Sequence, residues 1–94
     1  MSLKDDLLTL QGLISTSTSY PPDEYPEGIG TFEDHMDDLL GTWGQIKLQL
    51  RSTDSIEYID TTLNRMIDLY RRGEKALGRD VAWELYNFKV TKLR

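Results

Sequence analysis

Between Thr31 and Leu77, apolar residues recur at alternating three- and four-residue spacing in two successive rows. Phe32, Met36, Leu39, Trp43, Ile46 and Leu50 form the first row; Ile56, Ile59, Leu63, Met66 and Tyr70 form the second. Such spacing gathers side chains on one face of an α-helix, and an apolar face of that length is not left in water. The pattern predicts two amphipathic helices, over about 32–51 and 55–77, that close on each other. Arg51, Ser52 and Thr53 allow only a tight link, so the pair should run antiparallel. The expected fold class is all-α, a small bundle of three to four helices built on an antiparallel helical hairpin.

The flanks supply the remaining helices. Leu3, Leu7, Leu10 and Ile14 again have helical spacing, and Ser2 with Asp5 can form a capping box, which places a first helix at about 3–14. The hydroxyl run Ser15 to Ser19 competes for backbone hydrogen bonds and should fray it. Three prolines and two glycines between Tyr20 and Gly30 rule out regular helix, giving an acidic loop over 19–30. Thr31 is the expected cap of the second helix, and Asp54 with Glu57 marks the start of the third. Gly41 and Gly44 interrupt the second helix, which points to close approach of a neighbour or a kink. Gly78 is the expected stop of the third helix, with Gly73 an earlier alternative. Residues 80–92 are ambiguous: Val81, Leu85 and Phe88 fit a helix, whereas Tyr86, Phe88 and Val90 alternate as a strand would. No second strand-like run exists to pair with, so a fourth helix is expected, and residues 1–94 read as a single helical domain.

Charge is distributed unevenly. The net charge is −5, and between Asp5 and Ile46 there are nine acidic residues and no Lys or Arg. Such a surface repels phosphate backbones, so no nucleic-acid partner is expected; a basic protein is the natural complement, with self-association as the other option. The alternative is a merely solvated face. No apolar run approaches the ~20 residues of a membrane span, and no signal-peptide layout opens the chain, so a cytoplasmic protein without membrane contact is expected. The candidate partner-binding residues are Tyr20, Asp23, Glu24, Tyr25, Glu27, Glu33, Asp34, Asp37 and Asp38. Tyr20 and Tyr25 either stand out for recognition on a proline-stiffened backbone or fold back over an open end of the bundle. Trp83 and Tyr86 lie off the Val81, Leu85 and Phe88 row, so they are either wedged between helices or form an oligomer contact.

No motif for catalysis or a cofactor stands out, and no cofactor is expected. His35, the single histidine, sits among Glu33, Asp34, Asp37 and Asp38, whose charges should favour its protonated form. Asp34 with Asp37, and Glu57 with Asp60, resemble the acid-x-x-acid and Glu-x-x-Asp pairs of the all-helical MazG-like nucleotide pyrophosphohydrolases. That resemblance implies, as an alternative function, magnesium-dependent nucleotide hydrolysis with Mg2+ held by these four carboxylates. Tyr20-Pro21 followed by Pro26-Glu27-Gly28-Ile29 and a helix is similar to the segment by which small acidic immunity proteins of colicin nucleases contact their basic toxin. In that family two adjacent tyrosines precede the proline, whereas Ser19 precedes Tyr20 here. This second resemblance implies a non-catalytic inhibitor, the function most coherent with the charge distribution. A structural subunit assembling through its C-terminal aromatic helix is the third expectation.

Overall fold

The computed structural model describes residues 3–20, 25, 28, 30–88 and 90. Four α-helices follow one another: α1 Leu3–Ser19, α2 Phe32–Lys47, α3 Thr53–Arg71 and α4 Lys75–Phe88, with no strand among the described residues. The apolar rows meet in one core, in which Leu7, Leu10, Ile14, Met36, Leu39, Trp43, Ile46, Ile59, Leu63, Met66 and Leu85 are buried, while Leu50 and Ile56 pack at its edge. Residues 75–88 are helix rather than strand, and the expected continuation to residue 92 reaches largely outside the described residues. None of the helices is long and apolar enough to cross a membrane.

Backbones approach most closely between α3 and α4, between α1 and α4, and between α1 and α2. The α2–α3 hairpin is antiparallel but stands wider, and long side chains bridge it. Arg71 at the end of α3 holds Glu33 at the start of α2 at 2.7 Å. Trp43 Nε1, far along α2, donates to Asp60 Oδ1 at 2.6 Å, and the Phe32 and Tyr70 rings meet edge to face. Large residues at these positions thus set the width of the gap.

The helix ends depart from the sequence expectation in several places, each with a local cause, and α4 begins at Lys75 rather than at residue 80 because Gly73, not Gly78, ends α3. The first helix does not fray at residue 14. Thr16 and Ser17 return their hydroxyls to the carbonyls of Gly12 and Leu13, and Thr18 to that of Ser15, so these three are satisfied inside the helix, with Ser17 and Thr18 buried. The second helix stops at Lys47, where Leu48 and Gln49 close the last turn with bonds to Ile46. Ser52, not Asp54, caps α3 by accepting from the amide of Ser55.

The third helix ends at Gly73 rather than Gly78. Gly73 has φ +81°, its amide bonds to Tyr70 and that of Glu74 to Leu69, the paired bonds of a Schellman cap. Gly78 instead lies inside α4, where a Cβ would stand 2.6 Å from the Tyr70 ring. Gly41 and Gly44 have nothing within 4 Å of an added Cβ, so no neighbouring helix explains them.

These glycines separate by experiment. Gly78→Ala should lose about 1–3 kcal/mol of unfolding free energy through overpacking against Tyr70. Gly44→Ala, in an open helical position, should gain up to about 1 kcal/mol. Urea melts of the two variants measure both signs.

Candidate binding face between α1 and α2

Two polar rows face each other where α1 packs on α2. On α1, Asp6, Thr9, Leu13 and Thr16 recur at three-four-three spacing beside the buried Leu7, Leu10 and Ile14. On α2, Asp34, Asp38, Thr42 and Gln45 follow at four-four-three spacing beside Met36, Leu39, Trp43 and Ile46. Apart from Leu13 the residues of both rows are polar, and clefts open along the seam. One, of about 350 Å³, is lined by Asp6 and Thr9 from α1 and by Asp37, Asp38, Thr42 and Gln45 from α2. The other, of about 410 Å³, lies at the end of α1 between Thr16, Tyr20, Tyr25, Asp34 and Asp38. Among the described lining residues of both there is no Lys or Arg.

His35 fixes the second cleft. Its Nε2 lies 3.0 Å from the Leu13 carbonyl, which can only accept, so Nε2 carries the hydrogen. Nδ1 is then the acceptor of the Tyr25 hydroxyl. One ring on α2 thereby ties Leu13 of α1 and Tyr25 together. The Tyr25 ring adds contacts to Tyr20 at 6.0 Å, to His35 at 5.7 Å and, edge on, to Phe32 at 6.2 Å.

Burial, not the surrounding acids, decides the charge of His35. The ring is buried, and desolvation lowers its pKa below the ordinary value of 6.5, outweighing the Leu13 carbonyl and Asp38, which raise it. The protonated form expected from the sequence is therefore replaced by a neutral ring. Desolvation, helped by Tyr70, also pushes the Tyr25 hydroxyl up to about 12, which keeps it a hydrogen-bond donor at neutral pH.

The structure sorts the other candidate residues. Tyr20 and Tyr25 fold back over the end of the bundle, and each lines the second cleft. Asp34, Asp37 and Asp38 come together along α2 at the cleft walls. Glu33 does not join them, because its carboxylate is taken by the fork of Arg71. Asp23, Glu24 and Glu27 lie outside the described residues. On α4, Trp83 is 45% exposed and stacks edge to face on the half-buried Tyr86, 5.5 Å away, and neither is among the described lining of the two clefts.

The four carboxylates of the pyrophosphohydrolase resemblance are not gathered. Asp60 is engaged by Trp43 and Lys47, Glu57 borders a shallow cleft with Tyr58, Arg65 and Glu84, and Asp34 and Asp37 stay on α2. Among the described residues no group of three or more potential ligands is placed to hold a metal ion. The sequence reading missed Asp6, Thr9, Thr42 and Gln45, although their helical recurrence beside the apolar rows carries the signal.

Comparison with known protein families, with curated proteins and with solved structures returns no match. The functional reading rests on the clefts themselves.

His35 makes the stability of this end pH-dependent. Its folded pKa lies below the unfolded value, so the unfolded chain takes up the proton first as pH falls. Stability is complete above about pH 6.5 and falls as pH drops from there toward the folded pKa. The chain has no other histidine, so melting temperature should decline between about pH 7 and pH 5 in the native chain and much less in His35→Gln.

Proposed function

We propose that this chain is a non-catalytic binding domain whose acidic α1–α2 face docks a basic protein, in the manner of a small acidic inhibitor or immunity-type protein. One observation carries the reading: the ion pairs of the described residues gather around α3 and α4, and the walls of the α1–α2 clefts bring acids together without a described Lys or Arg. Around α3 and α4, carboxylates meet bases: Glu84 with Arg65, Asp68 and Glu74 with Arg72, Asp60 with Lys47 and Glu33 with Arg71. Along the α1–α2 seam, Asp6, Asp34, Asp37 and Asp38 instead line open clefts whose described walls hold no Lys or Arg. Exposed like charges in a groove raise the local potential and speed encounter with a cation-bearing surface. The Tyr20 and Tyr25 rings at one end add apolar contact area already ordered before docking.

A decalysine peptide is the simplest probe of this face. Titrated into labelled protein at low salt, it should shift amides of Asp6, Thr9, Asp34, Asp37 and Asp38, and the shifts should weaken as salt is added. Asp37→Lys with Asp38→Lys should reduce affinity about tenfold or more without lowering the melting temperature. Shifts spread evenly over α3 and α4 would contradict the assignment of the face.

A further inference from the structure

We propose that the cleft at the end of α1 is a receptor for a single guanidinium group, an arginine side chain of the docked protein. The inference rests on the binding reading above and names the side chain that this end of the face takes. Three features converge there. Tyr20 and Tyr25 bring two aromatic rings to one cleft, their centroids 6.0 Å apart and their planes inclined by 53°. Asp34 and Asp38, one helical turn apart on α2, bring two carboxylates to the same space of about 410 Å³. His35 holds Tyr25 in place with both ring nitrogens already engaged, by Tyr25 and by the Leu13 carbonyl.

Rings and carboxylates together select the ligand. An aromatic face attracts a cation through its quadrupole, and a carboxylate pair supplies the counter-charge. A guanidinium is planar, so it can lie against a tyrosine ring while its edge N–H groups donate to carboxylate oxygens; an ammonium offers no plane. The Leu13 side of the cleft suits the methylene stem. The neighbouring cleft around Asp6, Asp37 and Gln45 has the acids but no described ring, and so attracts cations without this preference.

The test is a titration of the whole chain with blocked arginine and blocked citrulline, which share size and planarity and differ in charge, followed by proton NMR. Blocked arginine should give saturable shifts of the Tyr20 and Tyr25 ring resonances, with citrulline at least about tenfold weaker. Asp38→Asn and Tyr20→Leu should each weaken the arginine probe about tenfold while the helical circular dichroism is kept. Equal shifts from both probes, or tyrosine resonances that do not move, would overturn the receptor, and a blocked lysine binding as tightly as arginine would overturn the choice of guanidinium. If decalysine still maps to Asp6 and Asp37 in that event, only the receptor fails; loss of both responses removes the binding reading beneath it.

Discussion

Tyr70 is the point at which all four helices meet. Its own helix is α3; its hydroxyl donates to the Ser17 carbonyl of α1 at 2.5 Å; its ring meets Phe32 of α2 edge on and occupies the space left by Gly78 of α4. The sequence shows why α1 needs that hydroxyl. Within a helix the Ser17 carbonyl would accept from the residue four places on, and that residue is Pro21, which has no N–H. A carbonyl buried without a partner costs about 1–3 kcal/mol, so the proline that ends α1 makes a donor from elsewhere necessary. Tyr70 is that donor, and Gly78 is what lets α4 pass over its ring.

The same end of the bundle carries the chemistry. Phe32 and His35 open α2 beside Tyr70, and Tyr25 is drawn onto both. Because desolvation outweighs the nearby acids at His35, Tyr25 is clamped by a neutral ring that accepts on one side and donates on the other. A protonated imidazole in that place would add positive charge beside Asp34 and Asp38 and offset the potential of the cleft. Burial at this site therefore serves both the clamp and the charge of the face.

Much of the architecture was legible in the sequence because it depends on periodicity. The rows through Phe32 to Ile46 and Ile59 to Tyr70 placed two helices and most of their buried residues, and Thr31 was readable as a cap. What periodicity hides is where tertiary contact overrides local preference. Ser17 and Thr18 look like helix breakers until they are buried with their hydroxyls turned back to α1 carbonyls. Gly78 looks like a helix stop until the Tyr70 ring fills its missing side chain, and the true stop at Gly73 follows from its positive φ. Among the candidate residues, charge counting singled out Asp34, Asp37 and Asp38, which line the clefts, and grouped Glu33 with them, because the pairing with Arg71 spans 38 positions of sequence. His35 was misread for a related reason: the neighbours along the chain were visible, and the burial created by Leu13 and Tyr25 was not.

The Tyr70 junction holds the end of the bundle on which the cleft is built. Native-state hydrogen exchange on Tyr70→Phe tests it most directly, since the ring is kept and only the bond to Ser17 is lost. The expected result is a selective loss of protection in the last turn of α1 and the first turn of α2, around Ser17, Tyr20 and His35, with the Trp43–Asp60 end nearly unchanged. A uniform loss of protection across all four helices, or none at all, would contradict it.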